Sequence, residues 1–585
     1  MKTILSFVLI VSISIVAQIP LEKRTQDLIE TIKNKPSSDS IAVWIIFSDK
    51  GQSEGIALLK ANQVVSEKSV QRRKKVLPSS GLIDQTDLPV NNEYIKQLEL
   101  IGVKIKQVSR WFNGVSAYIK TGQLNELTGL PFVQSIDRVF SFAKSNSLIE
   151  NTILEKSSEV YLSNVTNLYN YGASLKQLSM LNLPALHNLG YKGQGITIAV
   201  LDAGFNNLPH EVFAKMNIIA RYDFVNHRID VGDGNGGMGS GTHGTATLSV
   251  IGGYKPGYLI GPAFESNYIL AKTENTESET PIEEDNWIAG IEWADSIGVD
   301  VTSTSLGYID FDQPYTSYTW QSMNGRTCRI SIAATMAARK GIFVVNSAGN
   351  EGYDGSHNTL GAPADADSIV SVGAVDASGT RVSFSSVGNT TDGRIKPDVM
   401  ALGANVFVAG TTPSSYYYSS GTSFSCPLAA GCAAVILSAN PTWTPMQLRD
   451  ALRTTASNAA NPNREMGWGI IDALSALQTK PASVESLSVN NKNYSLFQNY
   501  PNPFNPETRI QYVINQDAIV DISIYSITGE KITTLFTGIS AKGIQPPLLF
   551  NSSNLSSGIY FCRMSVFDAN GKVIYNDTKK LTCIK

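Results

Sequence analysis

Three residue types that together can hydrolyse an acyl bond stand in three short glycine-containing segments: Asp202 in ITIAVLDAGF, His243 in SGTHGTATLSVIGG and Ser423 in GTSFSCP. A serine hydroxyl is a poor nucleophile. It becomes effective when an imidazole takes its proton during attack and returns it to the leaving group, and when a carboxylate fixes the imidazole tautomer and stabilises the cation. Ser423 precedes the small and apolar run LAAGCAAVILSAN, which reads as a helix. At a helix N-terminus, backbone N–H groups can stabilise a developing oxyanion. A fourth segment, GIFVVNSAGNEG, sets Asn350 just beyond an apolar strand, where its side-chain amide can join the Ser423 N–H as a second oxyanion donor. Taken singly, each segment has a plainer reading: a helix N-cap, a strand ending in a turn, a structural histidine, an asparagine capping a turn. Together they do not, and of the five histidines only His243 has such a setting.

Positioning these groups needs a scaffold. Ile196, Ile198, Val200 and Leu201 form a short apolar run that stops at Asp202. Such a run is a strand buried on both faces, with the acid at its carboxyl end, where open parallel sheets place their sites. His243 begins a second helix of small residues. VDVTSTSLGY reads as a strand whose end carries Ser305, Leu306 and Gly307. Leu306 by itself is equally a core residue at a strand end.

The segments VLDAG, GTHGT, SAGN and GTSFSCP, in the order Asp, His, Ser, resemble the subtilisin-type serine proteases, whereas other triad families use other orders. The resemblance implies an α/β fold with a doubly wound parallel sheet. It also implies a triad of Asp202, His243 and Ser423, an oxyanion hole with Asn350, and substrate binding on Ser305, Leu306 and Gly307. The expected activity is hydrolysis of peptide bonds in proteins through an acyl-enzyme. Glu351 then falls at the rim of the primary specificity pocket, although alone it reads as an exposed loop carboxylate. One departure is visible: the family usually has Met-Ala after the serine, and here Phe424, Ser425 and Cys426 follow, so the packing behind the nucleophile should differ. Two other classes compete. A catalytically impaired peptide-binding or surface-adhesion protein on the same fold would have no use for all four positions, and an esterase or amidase would not need a peptide-shaped edge.

The chain opens with MKTILSFVLIVSISIVAQ: Lys2, an apolar stretch from Ile4 to Val16, and a small residue at Ala17. Residues 1–17 read as a secretory signal peptide, so the destination is secreted or the cell surface. At 585 residues the chain has room for three or four domains; 42% hydrophobic residues, 17% charged and a net charge of −3 give no sign of a nucleic-acid partner. Residues 18–166 alternate strands (IAVWIIFSDK, VKIKQVSRWFNGVSAYIK) with helices (EYIKQLELIG, GQLNELTGL), which suggests a ferredoxin-like α+β unit. Its place before the peptidase-like region resembles the family's propeptide, an intramolecular inhibitor, and makes the chain a zymogen. The cluster RRKK, Arg72 to Lys75, has the composition of a processing site but, lying inside that unit, reads as a solvated helix face, and maturation is expected between about Ser145 and Gly172.

Residues 167–480 form the expected peptidase domain. Asp223, Asp230 and Asp233 lie in a glycine-rich loop whose oxygens would suit calcium, a stabilising ion in this family; their spacing is not that of an EF-hand, and aspartates in such loops also form turns. No metal or other cofactor is expected in the chemistry. The loop also lacks the Gly-Lys-Ser/Thr ending of a phosphate-binding loop. After a linker at 481–494, residues 495–585 show period-2 strands around prolines 501, 503 and 506 and read as an immunoglobulin-like β-sandwich. QNYPNPFNPET, IYSITGE and SSGIYFCR resemble the C-terminal sorting domain of type IX secretion, which makes that machinery a partner. An accessory domain binding carbohydrate or the cell surface is the alternative. Past the leader no uninterrupted apolar run reaches the ~18 to 20 residues of a membrane span. Of the five cysteines, Cys426 and Cys432 are too far apart on one helix to bridge and should be core, Cys328 is unassigned, and Cys562 and Cys583 lie on neighbouring strands, close enough in the chain to pair after export, though not in register.

Overall fold

The computed structural model describes residue 28 and residues 36–51, 65–78, 81–139, 167–233, 241–275, 282–309, 317–479, 494–497, 499, 502, 504–540, 542–545, 548–568 and 571–583. The signal peptide, most of the expected maturation segment and the linker fall outside the described residues. Two compact units divide between Thr479 and Lys480.

The first unit begins with a four-stranded antiparallel sheet of order β2-β3-β1-β4, where β1 is Ser40–Phe47, β2 Lys104–Ser109, β3 Gly114–Lys120 and β4 Val133–Arg138. Helices α1 (Glu67–Arg73), α2 (Asn92–Leu100) and α3 (Leu124–Thr128) fall between the strands in the chain. The period-2 pattern of β1 explains the layering. Ile41, Val43, Ile45 and Phe47 are buried with Leu98 of α2 and with Leu124 and Leu127 of α3. Trp44, on the opposite face, is buried in a different cluster, shared with the larger part of the unit.

That larger part holds a seven-stranded sheet. Its strands are β5 (Thr197–Asp202), β6 (Asn217–Asp223), β9 (Asn267–Lys272), β10 (Val301–Thr304), β11 (Phe343–Ser347), β12 (Val370–Val375) and β13 (Val399–Leu402); two short strand pairs, β7 (Tyr254–Lys255) with β8 (Leu259–Ile260) and β14 (Val406–Ala409) with β15 (Tyr416–Ser419), stand apart. The order is β13-β12-β11-β10-β5-β9-β6, and every pairing is parallel. β5 is buried along its whole length. Ile198 and Val200 face a core shared with α4 (Thr242–Gly252), while Ala199 and Leu201 face a second core with α5 (Ile282–Ile297) and α6 (Arg329–Arg339). A strand covered by helices on both sides cannot alternate polar and apolar residues, which is why Ile198 to Leu201 are continuously apolar. After β5 the chain leaves for the far edge at β6, returns as β9, and then continues on the other side as β10. This reversal opens a crevice at the carboxyl end of β5.

Helix α7 (Thr422–Ala439) packs against α4 and against β10 to β13. It is apolar all round and nearly every residue is buried. By length and composition it could cross a bilayer, but its burial marks it as the core helix of this unit.

The RRKK cluster is not a solvated face. Arg72 and Arg73 are 2% and 0% exposed. Arg73 forms a two-pronged ion pair with Asp87 at 2.7 and 2.8 Å, and its guanidinium also reaches Asp295 of α5 at 2.6 Å. Arg72 pairs with the other oxygen of Asp295 and donates to the carbonyls of Val299 and Lys340 at 2.7 and 3.1 Å. Arg110, beyond β2, adds a third guanidinium at 3.1 Å from Asp295. Trp44 Nε1 donates to Asp285 at 2.7 Å, and Arg329 of α6 pairs with Asp137 of β4 at 3.1 Å. The outer face of the small sheet therefore lies on α5 through a mostly buried polar network.

In the second unit β16 (Ser495–Leu496), β18 (Tyr512–Ile514) and β21 (Gly543–Ile544) form one sheet, and β17 (Glu507–Ile510) pairs with β22 (Leu548–Asn551). A four-stranded antiparallel sheet, β20-β19-β23-β24, joins Lys531–Ser540, Ala518–Ser526, Gly558–Phe567 and Val573–Cys583. Their inward residues, among them Ile510, Val520, Ile522, Ile524, Met564 and Val566, make a separate core. Cys562 lies opposite Lys579 and Cys583 opposite Gly558; both thiols are buried and free, so the disulfide allowed from the sequence is not formed. Cys426 and Cys432 are buried core residues of α7, as expected.

Candidate active site

Asp202 closes β5 at the crevice and is fully buried. His243 is the second residue of α4. Its Nδ1 lies 2.6 Å from Asp202 Oδ1. A carboxylate only accepts, so Nδ1 carries the proton and Nε2 is left as the base. The approach of helix to strand end depends on Gly244: a Cβ there would meet the Gly204 carbonyl oxygen at 2.2 Å and Asp202 Cβ at 3.2 Å.

Ser423 sits in the first turn of α7 after Gly421, whose φ of +151° is a conformation that favours glycine. The imidazole of His243 stands 6.1 Å, centroid to centroid, from the ring of Phe424, the residue next to the serine. The departure from Met-Ala therefore puts an aromatic ring beside the base. In the resting chain Ser423 Oγ donates to the Ser305 carbonyl at 3.3 Å. Ser305 answers: its Oγ donates to the Ser423 carbonyl at 2.7 Å. That carbonyl is available because Pro427, four residues on, has no N–H to close the helical hydrogen bond.

Asn350 follows β11. Its Oδ1 accepts from the Thr422 N–H at 2.9 Å and from Thr422 Oγ1 at 3.0 Å. With the oxygen held on that side, Nδ2 turns toward Gly421 and donates to no described residue. The Ser423 N–H, in the first helical turn, likewise has no acceptor among the described residues. Two donors thus converge beside the nucleophile at the positive end of a helix dipole.

Ser305, Leu306 and Gly307 run on from β10. The Leu306 carbonyl turns inward to Asn346 Nδ2 at 3.0 Å, whereas Gly307 offers both its N–H and its C=O without a backbone partner among the described residues. This alternation is that of an edge awaiting a strand. Glu351 is exposed, and its N–H donates to Ser386 Oγ at 3.1 Å. The crevice therefore gathers Asp202, His243, Ser423, Asn350 and Ser305, leaving Glu351 outside. Two residues escaped the sequence reading: Thr422, inside the serine motif, and Thr247, four positions after His243 on the same face of α4.

The aspartates of the glycine-rich loop act as turn formers. Asp223 accepts from the N–H groups of Val225 and Asn226, both at 2.9 Å, and Asp230 from that of Gly232 at 3.1 Å. Asp233 accepts from the Gly241 N–H at 2.9 Å. Among the described residues no group of three or more His, Cys, Asp or Glu side chains could hold a metal ion.

A sheet switch point carrying a serine, a histidine paired to a buried aspartate and a preset pair of N–H donors defines a serine hydrolase. A model of the subtilase family matches residues 193–469, one of the Bacteroidota peptidase S8 propeptide domain matches 42–156, and one of a secretion-system C-terminal sorting domain matches 498–568. Subtilisin NAT of Bacillus subtilis subsp. natto is 34% identical over 303 residues, 52% of this chain and 70% of that protein. The subtilisin of Bacillus pumilus is 33% identical over 303 residues and covered over 98% of its length. Among solved structures, fervidolysin from Fervidobacterium pennivorans superposes with a TM-score of 0.54 at 17% identity, over 93% of this chain and 76% of that one, a likeness of fold. The chain belongs to the subtilase family. It is a secreted or cell-surface serine endopeptidase with an S8 propeptide and a type IX sorting tail.

Proposed function

We propose that Ser423 is the nucleophile of a triad with His243 as general base and Asp202 as its orienter, and that Asn350 Nδ2 and the Ser423 N–H form the oxyanion hole. The observation that carries this reading is the pairing of His243 with the buried Asp202, beside a helix-terminal serine whose neighbouring amide is turned by Thr422. A substrate strand pairs with Ser305, Leu306 and Gly307. The serine hydroxyl leaves the Ser305 carbonyl for His243 Nε2, attacks the scissile carbonyl, and the imidazolium protonates the leaving amine. Water then hydrolyses the acyl-enzyme by the same steps in reverse roles. The chemistry uses protein groups alone, and calcium, if it binds this chain, serves the fold.

The boundaries that fit are 1–17 signal peptide, 18–166 propeptide and linker, 167–480 peptidase, 481–494 linker and 495–585 sorting domain. The sheet order β2-β3-β1-β4 with intervening helices supports a ferredoxin-like propeptide, and the separate core of strands β16 to β24 supports an immunoglobulin-like sorting domain. The propeptide acts as inhibitor from its seat on α5, and the tail engages the type IX machinery.

The test is intact mass and casein hydrolysis over time for protein beginning at Gln18, beside Ser423→Ala. Loss of the propeptide and onset of cleavage in the wild type alone are expected. Proteolysis by a pure alanine variant would remove Ser423 from the mechanism; silence from both proteins would favour a binding protein.

A further inference from the structure

We propose that Thr247 is a positioning residue of the triad: its hydroxyl holds the Asp202 carboxylate in the orientation that His243 requires. The inference rests on the triad reading above. Asp202 has no exposure, and its two oxygens are served unequally. Oδ1 accepts from His243 Nδ1 at 2.6 Å and from the Ala203 N–H at 2.7 Å. Oδ2 accepts from Thr247 Oγ1 at 2.9 Å and from no other described residue.

Thr247 is itself fully buried. Its hydroxyl has a second acceptor in reach, the Gly244 carbonyl at 3.1 Å, but the carboxylate is the stronger and nearer one, so the proton goes to Asp202. The helix geometry provides the placement, since residues 243 and 247 stack on one face of α4 and Gly244 lets that face close on the end of β5. Among the described residues no neighbouring charge replaces the hydroxyl. Lys272, opposite Asp202 on β9, turns its ammonium to Asp233 at 3.5 Å. The Cys426 thiol, pushed up to about 12 by burial, stays neutral.

Without the hydroxyl, Oδ2 becomes a desolvated, unpaired carboxylate oxygen. The carboxylate then turns to find a donor and draws Oδ1 away from the imidazole, which loses alignment toward Ser423. Substrate binding on the Ser305–Gly307 edge is untouched. The loss therefore falls on kcat and spares KM.

Full-length Thr247→Val, Thr247→Ser, Asp202→Asn and wild-type precursors are matured with immobilised wild-type enzyme and assayed on one peptide substrate across pH. Thr247→Val is expected to lose roughly 10- to 100-fold in kcat at unchanged KM. Its acid limb in kcat/KM should move to lower pH, because a carboxylate drawn away from the imidazole stabilises the imidazolium less. Thr247→Ser should restore both values. A Thr247→Val enzyme with wild-type kcat beside an inactive Asp202→Asn would overturn the inference and leave the triad standing, as would a serine variant as slow as the valine one. A fully active Asp202→Asn would remove the triad reading itself. Should Thr247→Val not fold, Thr247→Ala gives the same comparison.

Discussion

Asn350 shows how much of this site is orientation. In the proposed oxyanion hole its carboxamide is useful only with nitrogen toward the reacting carbonyl, and Thr422 favours that by giving its N–H to the oxygen and placing its hydroxyl 3.0 Å from that oxygen and 3.2 Å from the Gly349 carbonyl. Asn350→Ala is expected to lower kcat by roughly 100- to 1000-fold with little change in KM, the range known for an oxyanion donor of subtilisin itself. Steady-state kinetics on a peptide substrate checks it, and an unchanged kcat would put the hole elsewhere. At this scale the sequence was largely legible: the motif glycines mark where backbone must approach backbone, and Asp202, His243, Asn350 and Ser423 stand beside them. What it could not show was which hydrogen bonds turn each group. Ser305 serving the carbonyl that Pro427 leaves open joins residues 118 positions apart. Thr247 carried a weak signal, its four-residue spacing from His243, but a threonine in a helix of small residues reads as filler until the carboxylate behind it is seen.

Among the elements, the contact between α1 and α5 departs furthest from expectation. Four consecutive basic residues at the end of a short helix read as a solvated face by composition. Arg72 and Arg73 are instead buried because a carboxylate 222 residues downstream of Arg73 lies across from them. Local sequence cannot report that partner. Truncating Arg73 would leave Asp87 buried without its two-pronged partner and Asp295 short of one cation. In the uncleaved Ser423→Ala precursor, Arg73→Ala is expected to cost about 3 to 5 kcal/mol of stability by denaturant unfolding, the usual penalty for breaking a buried pair. A cost below about 1 kcal/mol would mean that the network relaxes into water. The strands β1 to β4, by contrast, were readable from period-2 alternation, and β5 from its unbroken apolar run, because those patterns encode burial directly.

For the molecule as a whole, the seating of the small sheet on α5 is expected to give the zymogen a pH response. Burial pushes Glu292 up to about 7, against hydrogen bonds from Ser109 and the charge of Arg110. Burial likewise pushes Asp285 up to about 7, against the hydrogen bond from Trp44 and the charge of Arg329. Once the propeptide leaves, these carboxylates of α5 meet water and ionise in the ordinary range. Docking therefore keeps its full strength below that range and weakens as pH climbs toward 7. Processed enzyme blocked with a fluorophosphonate should release its propeptide more readily at pH 8 than at pH 5 in gel filtration, and Glu292→Gln should flatten the difference; equal retention at both values would refute the coupling. The order of the parts was legible in the sequence because each has its own pattern, whereas their electrostatic linkage arises only on contact. The claim on which everything else stands is that Ser423 is the activated serine. Mass spectrometry of the fluorophosphonate-treated mature enzyme tests it most directly: a single adduct on the peptide containing Ser423, lost in Asp202→Asn, is the result expected, and an adduct on another residue, or casein cleavage that persists with Ser423 unlabelled, would contradict it.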